Sequence, residues 1–104
     1  SEVSVYYKDI YAGTIDLIGI HENELTVVDY KSSYKKKNND ELLDHYLQCA
    51  AYSIAHDWLY KTNIESIKIF QITRAGDYEI NCAKGVEFNN YKQKWFERLK
   101  LFNE

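Results

Sequence analysis

Apolar side chains fall at Val3, Val5 and Tyr7, every second position, and this period predicts a first strand across Glu2 to Lys8. The run Gly13-Thr14-Ile15-Asp16-Leu17-Ile18-Gly19-Ile20 is apolar and β-prone, and His21-Glu22-Asn23-Glu24 is polar. Leu25-Thr26-Val27-Val28-Asp29-Tyr30-Lys31 is β-prone again, so a hairpin is predicted over Tyr11 to Lys31. Ile15 and Leu17 occupy one face of its first arm and Ile18 and Ile20 the other, which predicts a central place in a sheet. A polar loop, Ser32 to Asn39, follows. Leu43, Leu47, Ala50, Ile54 and Trp58 recur at threes and fours and predict a long helix over Asp40 to Lys61. Ile64 to Thr73 reads as a strand, Arg74-Ala75-Gly76-Asp77 as a turn, and Tyr78 to Ala83 as a returning strand. Phe88, Tyr91, Trp95, Leu99 and Phe102 mark a closing helix from Val86 to Phe102. The order βββ-α-ββ-α describes a mixed α/β structure with helices packed on a sheet.

At 104 residues the chain is expected to form a single domain over 1–104. It opens on Ser1 and contains no proline, which suggests a trimmed piece of a longer protein. The net charge of −3 provides no global basic field, so any attraction to phosphate must be local. Two cysteines, Cys49 and Cys82, are expected as buried thiols in a reducing, intracellular compartment such as a cytoplasm or nucleoid. No apolar run approaches the ~18 residues of a membrane span, and no signal peptide is visible.

Counting the hairpin from a turn at Glu22-Asn23 sets residue 20 opposite 25 and Asp16 opposite Asp29. Side chains alternate along a strand, so Lys31 shares a face with Asp29. Opposed carboxylates ~5 Å apart repel by roughly 3 kcal/mol at an effective dielectric near 20. A divalent cation with oxygen ligands would offset that repulsion. The bland reading makes Asp16 a turn-proximal polar residue and Asp29 with Lys31 a strand-end ion pair. It is weakened by Ile15 and Leu17, which flank Asp16 in a run built for burial. Gln48 and Tyr52 lie one helical turn apart on a common face. No Ser-His-Asp arrangement with supporting context and no glycine-rich phosphate loop occurs. His45, Cys49 and His56 are too few for a zinc site.

Taken together, Gly13-Thr14-Ile15-Asp16, Val28-Asp29-Tyr30-Lys31-Ser32-Ser33 and Gln48-x-x-x-Tyr52 resemble the PD-(D/E)xK nuclease superfamily. More narrowly they are similar to the branch of RecB-type nuclease domains and the mitochondrial genome-maintenance exonuclease. The resemblance implies a restriction-endonuclease-like core, a central mixed sheet flanked by helices, here without the usual N-terminal helix. It implies that Asp16, Asp29 and the Tyr30 carbonyl ligate Mg²⁺ or Mn²⁺, with Glu2 a further acidic ligand. Lys31 would position or help deprotonate the attacking water, and Gln48 and Tyr52 would form the QxxxY element that lies beside the active site and contacts DNA. The four-cysteine iron–sulfur cluster of some relatives is excluded by a chain with two cysteines.

Beyond the catalytic positions, Ser32, Ser33, Tyr34, Lys35, Lys36 and Lys37 follow the active strand directly. The lysines read either as a solvated loop or as a salt-sensitive grip on a DNA backbone. Tyr34 could pack or could stack on an unpaired base. The expected function is a Mg²⁺- or Mn²⁺-dependent deoxyribonuclease of DNA repair or recombination type, an exonuclease on single strands or strand ends. The alternatives are a nuclease-like domain that binds nucleic acid or protein without cutting, and a structure-specific endonuclease. Strand polarity, DNA against RNA preference and oligomeric state are not encoded in any of these motifs.

Overall fold

A computed structural model describes the backbone of residues 3–7, 11–15, 17–21, 24–33 and 39–103, and the side chains of 25–31 and 40–101. In chain order the elements are β1 (Val3–Tyr7), β2 (Tyr11–Ile15), β3 (Leu17–His21), β4 (Glu24–Ser33), α1 (Asn39–Tyr60), β5 (Ser66–Thr73), β6 (Tyr78–Lys84) and α2 (Val86–Asn103). β3, β4, β5 and β6 form one sheet in that order, and β1 pairs with β2 in a second. Only β4 and β5 run parallel; α1 is the crossover between them, as parallel neighbours require. The result is the mixed α/β class expected from the pattern.

One expectation about the first strands needs correction. The arm predicted as one run from Tyr11 is described as β2 and β3, on either side of Asp16, which lies outside the described residues. Its halves find different partners: β2 lies antiparallel to β1, from Val3↔Ile15 to Tyr7↔Tyr11, while β3 lies antiparallel to β4. An apolar run records burial and says nothing about which neighbour each half will bond. For the same reason β3 is an edge of the four-stranded sheet and not its centre; β4 and β5 hold the central places.

The core forms where β4 and β5 turn one face toward α1. Val27, Ile67 and Ile69 are fully buried, joined by Ala83 from β6 and Phe88 from α2. On α1 the buried positions are Leu42, Tyr46, Leu47, Cys49, Ala50, Ala51, Ser53 and Ala55. Leu47 and Ala50 of the predicted stripe are thus buried, while Leu43, Ile54 and Trp58 lie at its margin and are only half-buried. Ser53 enters the core at no polar cost because its Oγ donates to the Cys49 carbonyl one turn back, at 2.8 Å. Where β4 and β5 begin, the opposite face is buried too. There the hydroxyls of Thr26 and Ser66 meet at 2.7 Å. Further along that face the sheet opens, leaving Tyr30, Ile72, Tyr78 and Ile80 exposed. Cys82, expected to be buried, shares this open face and is exposed; Cys49 is buried, and neither cysteine is in a disulfide.

α1 ends at Tyr60, and Lys61 adopts φ 58°, the left-handed conformation that terminates many helices. Asp57 Oδ1 then accepts from the Thr62 hydroxyl at 2.8 Å and from the Ile64 amide at 2.9 Å, which ties the exit of α1 to the entry of β5. α2 packs across α1 through stacked Tyr46 and Tyr91 rings, 4.7 Å between centroids. Burial pushes both phenols above their ordinary pKa, with smaller contributions at each from Glu87. Among the described residues no helix is long and apolar enough to cross a membrane.

Candidate active site

β4 is rich in β-branched residues and keeps strict alternation as it leaves the core. Val27, Asp29 and Lys31 therefore point to the α1 side, and Thr26, Val28 and Tyr30 to the other. This places a carboxylate directly after the most buried stretch of the strand: Asp29 is 8% exposed. Lys31, one side-chain step further out, reaches back so that Nζ lies 3.2 Å from Asp29 Oδ2. A carboxylate this buried costs several kcal/mol in desolvation if uncompensated, and the ammonium is one compensation. From above, α1 contributes Cys49, whose Sγ approaches the same oxygen at 3.9 Å. β5 supplies the floor beside them. Asp29 pairs in register with Ile69 and Lys31 with Gln71, a glutamine buried to 1% exposure.

The predicted Asp29–Lys31 juxtaposition is thus present. Tyr30 turns its side chain away and stacks on Phe70 at 5.3 Å, as the alternation requires. Gln48 and Tyr52 meet as well: Gln48 Nε2 donates to the Tyr52 hydroxyl at 2.9 Å. They line a trough between α1 and α2, alongside Asp44, Trp95 and Arg98. The predicted register of the hairpin holds wherever both strands are described, from Leu17↔Val28 to His21↔Glu24. Asp16 and Glu2 lie outside the described residues, as do Tyr34, Lys35, Lys36 and Lys37. Ser32 and Ser33 are described only as the last two residues of β4.

Sequence reasoning missed Cys49 and Gln71 as members of this constellation. Cys49 carried a usable signal, since it follows Gln48 directly and lies three and seven residues from Tyr46 and Leu42 on the buried side of the helix. Gln71 is the lone amide among the isoleucines of β5, but its register against Lys31 depends on a pairing across the crossover. Among the described residues no group of three or more His, Cys, Asp or Glu side chains is placed to hold a metal ion. A larger hollow of about 550 Å³, lined by Asn63, Lys84, Asn89 and Lys92 among others, lies at the opposite end of β5 and shares no residue with Asp29 or Lys31.

A buried carboxylate and a lysine two positions on, held on a central strand beneath the crossover helix, form an acid–cation pair suited to phosphoryl chemistry. The family model of the PD-(D/E)XK nuclease superfamily matches residues 9–98, which contain the whole constellation, and the chain belongs to that superfamily. Membership implies a nuclease, a hydrolase acting on nucleic acid, and such nucleases typically use divalent metals such as Mg²⁺. Among curated proteins none matches the chain.

Proposed function

We propose that the protein is a metal-dependent deoxyribonuclease that cleaves phosphodiester bonds in single strands or at strand ends. We place it in the exonuclease branch with the RecB-type domains and the mitochondrial genome-maintenance exonuclease. The observation that carries the reading is the Asp29–Lys31 contact of 3.2 Å on the α1 face of β4, inside a chain of this superfamily. Gln48 and Tyr52 support the narrower branch, because the spacing matches a QxxxY element and the two side chains are hydrogen-bonded to each other.

The donors fit a hard divalent cation as far as the described residues go. Asp29 offers a carboxylate and Tyr30 a backbone carbonyl, both oxygen ligands. The second carboxylate in this reading is Asp16, the aspartate of the Gly13-Thr14-Ile15-Asp16 motif. Glu2 is a further acidic ligand in the same reading. A bound cation supplies Lewis-acid polarisation of the phosphate and acidification of the attacking water. The chain's own contribution is position and charge. Lys31 orients the water and stabilises negative charge developing on phosphorus oxygens, and Asp29, fixed from two sides, holds its carboxylate in one place. In the same reading Ser32, Ser33, Tyr34, Lys35, Lys36 and Lys37, which follow the active strand in sequence, contact DNA.

The test is a time course on end-labelled single-stranded, duplex and circular DNA with Mg²⁺ or Mn²⁺. Cleavage of linear but not circular DNA, abolished by Asp29→Ala and Lys31→Ala, is expected. Undiminished cutting by folded Lys31→Ala protein would sink the assignment. Cutting of circles by a dimer would move it to the endonucleases. No heat of Mn²⁺ binding at millimolar concentration would make it a non-catalytic binding domain.

A further inference from the structure

β6 ends the four-stranded sheet, and among the described residues no strand pairs with its outer side. Which backbone groups face outward follows from the turn before it. The Thr73 amide donates to the Asp77 carbonyl at 2.9 Å, so these two residues form a hydrogen-bonded pair. Bonded and non-bonded pairs alternate along an antiparallel ladder. Counted along the unbroken register, Glu79, Asn81 and Ala83 spend their N–H and C=O groups on β5, and Tyr78, Ile80, Cys82 and Lys84 turn theirs outward. The same four residues carry their side chains on the open face of the sheet, where Tyr78 is 74% and Ile80 49% exposed. The edge lacks two of the devices that guard such strands, a proline and a bulge. Asn81, at the midpoint of β6, turns to the helix side. Its Nδ2 is buried there and has no hydrogen-bond partner among the described residues. A buried amide donor left unpaired is costly, and native structures hold few of them.

We propose that β6 pairs antiparallel with β6 of a second copy of the chain, about a two-fold axis at Asn81, joining the two four-stranded sheets into one. The inference is independent of the nuclease reading. An axis at Asn81 sets Tyr78 opposite the partner's Lys84, Glu79 opposite the partner's Ala83 and Ile80 opposite the partner's Cys82. The whole of Tyr78–Lys84 is then paired, and no like charges face each other. An axis at Glu79 would instead oppose two carboxylates and leave half of the strand unpaired. The Asn81 amide names the occupant. With the axis there, the two Asn81 residues form the close, non-hydrogen-bonded kind of pair, and each amide N–H can donate to the other's oxygen. Symmetry delivers that second amide automatically, because a two-fold interface presents the same patch from both sides. An edge about 23 Å long, at ~3.3 Å per residue, makes a small interface, so a Kd on the order of 10 μM is expected. The axis is perpendicular to the sheet, which keeps the helices of both copies on one side. Asp29, Ile69 and Asn81 share one row across the strands. The joined rows therefore set the two Asp29 positions about 24 Å apart, at ~4.8 Å per strand.

Sedimentation equilibrium of the full chain, from about 1 to 200 μM, should show a monomer passing to a dimer. Ile80→Lys adds a charge to the edge at an exposed position, so the fold survives, as circular dichroism can confirm, and dimerisation should weaken about tenfold or more. Cross-linking tests the register without depending on that variant. In a Cys82→Ser background, Asn81→Cys places two thiols across the axis with Cα atoms ~4.5 Å apart, within disulfide range. Diamide, which takes up the two electrons and protons, should convert that protein to a disulfide-linked dimer. Glu79→Cys in the same background sets its thiols about 13 Å apart along the strands and should not cross-link. A chain that stays monomeric throughout the concentration range overturns the proposal. So does a dimer that Glu79→Cys cross-links and Asn81→Cys does not, or one whose strength a folded Ile80→Lys protein leaves unchanged. None of these results touches the nuclease reading, which the end-labelled DNA assay decides.

Discussion

Replacing Lys31 with methionine keeps the length and apolar stem of the side chain and deletes its charge. The structure sets the size of the effect. At 3.2 Å and an effective dielectric near 20, the attraction between Lys31 Nζ and Asp29 Oδ2 is about 5 kcal/mol before desolvation. The Lys31 side chain is 26% exposed and that of Asp29 11%, so water screens the pair only in part. The methionine does not desolvate itself, but Asp29 stays where it was, a carboxylate without the Lys31 ammonium. Breaking one side of a mostly buried pair in this way costs about 2–4 kcal/mol in the metal-free protein, slightly below the range for fully buried pairs. For a domain near 100 residues that is a fall in Tm of roughly 10–25 °C, measurable by circular dichroism in EDTA. Asp29→Asn should cost less, about 1 kcal/mol, because Lys31 can swing into water. The double-mutant cycle should then give a coupling of about 1–3 kcal/mol. If a divalent cation occupies this site, Mn²⁺ should restore most of the stability of Lys31→Met by binding linkage, about 2.7 kcal/mol at 100 Kd, while cleavage stays absent. A metal-free Lys31→Met protein within about 0.5 kcal/mol of the parent, with zero coupling to Asp29, would refute the claim that this ion pair is what holds the carboxylate in place.

Three further outcomes are expected. Thr26→Val strands the Ser66 hydroxyl, buried to 2% exposure, and should lower stability by about 1–2 kcal/mol in urea; Thr26→Val with Ser66→Ala should recover part of the loss. Phe88→Ala empties the centre of the core and should cost about 3–5 kcal/mol by the same measurement, enough to leave little native protein at 37 °C. His56 is held by Thr62 at 2.8 Å and its pKa is lowered, chiefly by burial, against a smaller opposing effect of Asp57. The unfolded chain therefore binds the proton more tightly, so the contribution is intact above about pH 6.5 and is lost as pH falls below it toward the lowered folded value. Melting curves at pH 7.5 and 5.5 should show this loss, and His56→Gln should flatten it.

How legible this was in the residues varied with the kind of information involved. The helices and the β5–β6 hairpin were readable because their signals are local: periodic apolar positions in α2, and Arg74-Ala75-Gly76-Asp77 with Gly76 at φ 90° in the turn. The Asp29–Lys31 contact was readable because alternation alone puts residues two apart on one face. Pairing partners were not. Nothing in the residues says that Tyr11–Ile15 pairs with β1 while Leu17–His21 pairs with β4. Burial at the helix was legible at Leu47 and Ala50 and missed elsewhere for a chemical reason. Tyr46, Cys49 and Ser53 carry polar atoms yet take the innermost positions, because the sheet below is built of Val27, Ile67 and Ile69 and leaves room for small or flat side chains. The face of the sheet that exposes Cys82 is equally silent in the sequence, since Ile72 and Ile80 read there as core residues.

The parallel pairing of β4 with β5 has a consequence for synthesis on the ribosome. Thr26 and Ser66, which meet across that pairing, are separated by 40 residues of chain. At about 5–20 residues per second, β4 waits on the order of 2–8 s before the strand that completes its hydrogen bonding has been made. Throughout that interval the segment Leu25 to Val28, the most aggregation-prone stretch of the strand by composition, presents an unpaired edge. Asp29 and Lys31, placed at its C-terminal end, then act as charged gatekeepers on the nascent chain. The residues proposed for phosphodiester cleavage in the finished protein would also keep the half-made one from pairing with its neighbours.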